Sequence, residues 1–105
     1  MNTKIINEAL LKEASKEKDF DVASEMILEA FVQEDSSIVC VIPNVSKVRD
    51  ILKNDFPNFN NYIECGFWIV VEEMPNDLYE VLEALELFPY WGYYLDYNYF
   101  MKKAL

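Results

Sequence analysis

The sequence predicts one α+β domain, or a small α/β one, spanning residues 1–105: an N-terminal helical hairpin, then β-α-β-α-β, with a three-stranded sheet packed by helices. Three observations predict it. Apolar residues recur at helical spacing through the first third of the chain, two β-branched runs follow that are too short for helices, and a further helical pattern separates the second run from an alternating aromatic tail. With 52% hydrophobic residues, only 2 Gly and 4 Pro, the chain has the means to bury a core and lacks the composition of a disordered or linker segment.

Asn2 or Thr3 is placed to cap a first helix running to about Lys16, with Ile6, Ala9, Leu10 and Glu13 at helical spacing and Glu8 four residues before Lys12. A second helix is expected from about Asp19 to Gln33, with Phe20, Ala23, Ile27, Ala30 and Phe31 on one apolar side and Met26 beside it. Ile38 to Ile42 then reads as a strand buried on both faces and as the central strand of the sheet. A helix from about Ser46 to Asp55 turns Val48, Ile51 and Leu52 inward, and Phe56-Pro57-Asn58-Phe59-Asn60-Asn61 ends it.

Tyr62 to Glu73 reads as a second strand. After Met74-Pro75, Asp77-x-x-Glu80 has the form of a capping box that opens a helix with Leu78, Val81, Leu82 and Leu85 on its core face. Beyond Phe88-Pro89 the chain alternates, with Trp91, Tyr93, Leu95, Tyr97, Tyr99 and Met101 on one parity and Tyr94, Asp96, Asn98 and Phe100 on the other, which predicts a third strand. Parallel crossovers and a mixed sheet are both admissible, because periodicity carries no information on strand direction.

The chain carries 19 acids, 9 bases and no histidine, a net charge of −10. This charge disfavours direct contact with nucleic-acid phosphates or anionic membranes and favours a basic partner. The N-terminal residues do not form a secretory signal and no apolar run approaches the roughly 20 residues of a membrane span, so a cytoplasmic protein is expected. Cys40 and Cys65, on segments read as neighbouring strands, are expected as buried thiols. No zinc ligand set, serine–histidine pair or phosphate-binding glycine loop is present, so no cofactor, no metal and no catalytic residue is assigned.

The negative charge is uneven. Residues 1–37 hold nine acids and four bases, residues 38–62 two acids and three bases (Lys47, Arg49 and Lys53), and residues 63–105 eight acids and two bases. Asp21, Glu25 and Glu29 recur every four residues along one face of the second helix, about 6 Å apart along its axis, near the spacing of successive phosphates on a nucleic-acid strand. Such like-charge neighbours disfavour an isolated helix, so folding does not call for them. Glu72, Glu73, Asp77, Glu80, Glu83 and Glu86 make a second, broader series that drifts around its helix. Solvation of an outer helix face accounts for either series alone.

Half of the aromatic residues fall between Phe88 and Phe100, more than one face of a short strand buries readily. Trp91, Tyr93, Tyr97 and Tyr99 are assigned to the core, while Tyr94 and Phe100, on the other parity, are candidate anchors for a partner.

In composition and charge the chain resembles toxin-immunity proteins that neutralise nucleases and phage anti-defence proteins that mimic DNA; the resemblance covers no defined motif and brings no family residue onto the chain. It implies an acidic, non-enzymatic inhibitor of a basic, nucleic-acid-processing protein. The expected contact residues are Asp21, Glu25, Glu29, Glu73, Asp77, Glu80, Glu83, Tyr94, Asp96 and Phe100. The alternatives are a homo-oligomeric scaffold or regulatory domain, in which the aromatic strand makes a homodimer interface, and a carboxylate-dependent enzyme with a divalent cation.

Overall fold

The computed structural model describes residues 5–31, 39–88 and 95–105. Among them are helices α1 (Glu8–Ala14) and α2 (Phe20–Ala30), strand β1 (Val39–Pro43), helix α3 (Ser46–Asn54), strands β2 (Tyr62–Cys65) and β3 (Trp68–Glu72), and helices α4 (Asn76–Ala84) and α5 (Tyr97–Ala104). The fold is α+β with one three-stranded antiparallel sheet, in the order β1-β3-β2. The expectation for Pro89–Tyr94 lies outside the described residues.

The chain enters α1 later than its periodicity predicts. Ile5 bridges Phe31, the Ile6 N–H donates to the Ala30 carbonyl, and Asn7 rather than Asn2 or Thr3 caps the helix by accepting from the Leu10 N–H at 3.0 Å. The β-branched Ile5-Ile6 pair suits this extended contact with the end of α2 better than a helical turn. Asp19 caps α2 as expected, accepting from the Val22 N–H at 3.1 Å, and Ala23, Ile27 and Ala30 are its buried stripe.

The sheet departs from expectation in two places. The predicted strand 62–73 is a hairpin, because Gly66, at φ +58°, opens a two-residue turn with Phe67 that folds β3 back on β2 and pairs Cys65 with Trp68. A glycine at the first central position is what such a turn demands. β3, buried at every position, is therefore the central strand, and β1 lies at an edge. The predicted third strand is a helix over its described part: Tyr97, Phe100 and Ala104 fall on one helical face, Asp96 caps it through the Tyr99 N–H at 3.1 Å, and Lys102 and Lys103 complement its C-terminal dipole.

Strand alternation splits the core in two. On one face, Val39, Val41, Cys65, Trp68 and Val70 pack against Ala14 of α1, Ala23, Ile27 and Ala30 of α2, and Phe100 of α5. On the other, Ile42, Ile69 and Val71 pack against Val48, Ile51 and Leu52 of α3 and Leu78 and Leu82 of α4. Tyr97 touches both clusters, and its hydroxyl donates to the Asn44 carbonyl at 2.7 Å. Residues 18–20 run antiparallel to 95–97, with Phe20 N–H bonded to Leu95 O and Tyr97 N–H to Lys18 O, tying the start of α5 to the start of α2.

Cys40 and Cys65 are free thiols, Cys65 buried as expected and Cys40 only half-buried, and β3 lies between their strands, so they are not on neighbouring strands. Edge strands two spacings apart stand about 9–10 Å from each other, beyond disulfide reach. Burial pushes both thiols above the ordinary cysteine pKa, which keeps them protonated and poorly nucleophilic.

α4 begins one residue before Asp77, with Pro75 at the cap position, so Asp77 sits in the first turn and complements the helix dipole instead of forming the expected capping box. The helix ends in a Schellman motif: Leu87 N–H bonds Leu82 O at 2.9 Å, Glu86 N–H bonds Glu83 O, and Glu86 is held at φ +58°. Glu86→Gly is expected to raise stability by about 1 kcal/mol, since glycine carries no left-handed penalty and the Glu86–Lys103 ion pair it removes is exposed. A denaturant midpoint that falls instead would show the ion pair outweighing the strain.

Candidate functional site

The capping of α2 by Asp19 and the burial of Ala23, Ile27 and Ala30 set the helix's rotation, so the opposite face must hold Asp21, Glu25 and Glu29 in solvent. All three are exposed, and Val22, 41% exposed, is an apolar side chain beside them. Among the described residues the single salt bridge joins Lys103 to Glu86, so no lysine or arginine neutralises the α2 stripe at close range.

The second series does not stay together. Glu72 is only 2% exposed and points, with Val39 and Val70, into the α1–α2 side of the core. Glu86 is taken by Lys103, whose pKa is raised by the hydrogen bond to that carboxylate and by its charge. Glu73, in a left-handed conformation after β3, and Asp77, Glu80 and Glu83 on α4 remain exposed. Since α2 and α4 pack on opposite faces of the sheet, the two acidic series form separate surfaces.

Two other predicted contacts are engaged within the fold. Asp96 is half-buried and its carboxylate caps α5. Phe100 is fully buried, its ring edge-on to Trp68 at 6.0 Å, which corrects its assignment as a partner anchor: a strand would have turned it away from Tyr97, whereas the helix places both toward the sheet. Tyr94 lies outside the described residues.

The basic middle segment forms a feature that sequence reasoning missed. A groove of about 370 Å³ opens between α3 and β2, with Leu52 and Ile69 among its apolar lining, Phe59 stacked on Tyr62 at 6.0 Å, and Arg49, Lys53 and Glu64 as its charged groups. Arg49 is already held, donating to the carbonyl and side-chain oxygens of Asn44 at 3.2 and 2.8 Å, while the Asn44 amide donates to Gly66 O. The Lys47/Arg49/Lys53 spacing signalled the charge, but nothing local signalled that β2 would face it.

Among the described residues, no three Asp, Glu or Cys side chains converge to hold a metal ion, and no helix is long and apolar enough to cross a membrane. No protein-family model, curated protein or solved structure matches the chain.

Proposed function

We propose that the protein is an acidic, non-enzymatic inhibitor that neutralises a basic, nucleic-acid-processing protein by laying the outer face of α2 in that partner's nucleic-acid groove. The supporting observation is the stripe Asp21, Glu25 and Glu29, exposed along one face with no ion pair among the described residues. Carboxylates at a four-residue repeat reproduce a row of negative charge about 6 Å apart, and a basic groove meets it without a compensating lysine having to be displaced. Immunity to a toxin nuclease and disarming of a host defence nuclease use the same surface chemistry, and the reading covers both. The α4 acids, behind the sheet, serve solubility and long-range steering.

The test compares affinity capture from the native host at low and high ionic strength with the wild type and with Asp21→Lys/Glu25→Lys/Glu29→Lys. The wild type is expected to retain a basic protein at low salt and release it at high salt, and the triple variant to lower its association rate at least about tenfold. Equivalent reversal of Asp77, Glu80 and Glu83 should change the rate far less. Equal capture by the wild type and the α2 variant would remove α2 from the contact and the proposal with it.

A further inference from the structure

The two edges of the sheet are treated differently. The Glu72 N–H bonds the Asn61 carbonyl at 2.9 Å, which sets the ladder parity: Asn61, Ile63 and Cys65 bond toward β3, and the N–H and carbonyl groups of Tyr62 and Glu64 turn outward. Among the described residues, no backbone hydrogen bond reaches those outward groups. At the other edge the outward residues are Val39, Val41 and Pro43, all buried, and Pro43 has no N–H to offer. An edge with proline is closed to pairing, and an edge of free N–H and carbonyl groups is a template for it.

We propose that the outer edge of β2 pairs antiparallel with the same edge of a second copy of this chain, joining two three-stranded sheets into one of six strands. A two-fold axis through Ile63 sets Tyr62 of each copy opposite Glu64 of the other, so the outward N–H groups of each edge find the other's carbonyls. Tyr62 and Glu64 share the face that lines the α3 groove. The axis thus delivers the second copy's Glu64 to the mouth of a groove carrying Lys53 and Arg49, an opposite-charge match that repeats by symmetry.

Charge explains why a second copy docks here and not elsewhere on a chain of net charge −10. α1, which contacts β2, carries Glu8, Lys12 and Glu13 with Lys16, Glu17 and Lys18 just beyond, and α3 carries Lys47, Arg49 and Lys53 against Asp50 and its C-cap Asp55. The α2 stripe lies with β1, toward the opposite edge. Two copies therefore meet along their least negative side and leave both α2 faces free, so the pairing does not depend on the inhibitor reading and can fail without it.

Sedimentation velocity across a concentration series, with the purified full chain at physiological salt, tests this. The wild type is expected to pass from the 12.4 kDa monomer to a dimer of twice that mass, with the Tyr62 and Glu64 amides exchanging more slowly as concentration rises. Glu64→Pro removes an outward N–H and spares the β2–β3 ladder; Glu64→Lys keeps the backbone and places like charge at the groove. Each is expected to weaken association at least about tenfold. If Glu64→Pro fails to fold, Glu64→Lys carries the test. A monomer at every concentration, or a dimer that Glu64→Lys leaves unchanged, overturns the proposal.

Discussion

Trp68→Ala is expected to destabilise the protein by about 4 kcal/mol, the loss typical of removing a large buried aromatic side chain. Trp68 is fully buried at the start of β3, and Phe20, Tyr97 and Phe100 meet it edge-on with ring centroids 5.9, 6.0 and 6.0 Å away, so one substitution empties the contact shared by α2, α5 and the sheet. Its indole N–H also donates to the Glu17 carbonyl at 2.6 Å, holding the α1–α2 connection against the strand. Domains of this size are stable by about 5–15 kcal/mol, so the variant should retain little or no stable native population near physiological temperature. Trp68→Phe separates the two contributions: it keeps much of the ring burial and loses the hydrogen bond, and about 1–2 kcal/mol is expected for it. Urea unfolding followed by far-ultraviolet circular dichroism measures both. A loss under about 1 kcal/mol for Trp68→Ala would mean that the packing of α2 and α5 on the sheet does not depend on this ring.

The elements that could be read from the chain are those whose signal is local. Asp19 followed by Ala23, Ile27 and Ala30 specifies both the start and the buried side of α2, and Val48, Ile51 and Leu52 do the same for α3. The hairpin was hidden because Ile63 to Val71 is apolar enough to pass for one long strand, and its only turn-forming residue is Gly66, whose importance lies in a positive φ that the neighbouring residues do not announce. α5 was hidden for a different reason. Tyr97, Tyr99 and Met101 alternate as a strand would, while Tyr97, Phe100 and Ala104 repeat as a helix does, and only the Asp96 cap and the terminal lysines tip the balance. For the candidate site, periodicity located the α2 stripe because it depends on one helix alone. That α4 lies behind the sheet, that Glu72 enters the core and that β2 presents a free edge all depend on strand order, which periodicity does not encode.

Gly66→Ala is expected to cost about 2–5 kcal/mol, from a left-handed backbone penalty of about 1–2 kcal/mol and an overpacking term of about 1–3 kcal/mol. The second contribution comes from a specific obstacle. A Cβ at residue 66 would stand 2.1 Å from the Ser15 carbonyl oxygen and 2.6 Å from the Ser15 Cβ, and that same carbonyl accepts the Phe67 N–H at 3.0 Å. The turn cannot retreat from Ser15 without giving up this bond, and it is held from the other side by the Asn44 amide on Gly66 O at 2.8 Å, with Asn44 itself fixed by Arg49. Adding Ser15→Gly removes the Cβ contact and leaves the carbonyl in place, so the double variant Ser15→Gly/Gly66→Ala should recover little of the loss beyond the effect of Ser15→Gly alone. A double-mutant cycle in urea measures the coupling. Strong recovery would show that the side chain of Ser15, not its backbone, sets the approach of the hairpin to α1. Because the turn fixes the register of β2, a Gly66→Ala chain that still folds should also weaken the proposed pairing through Tyr62 and Glu64, which ties the stability of the hairpin to the edge it presents.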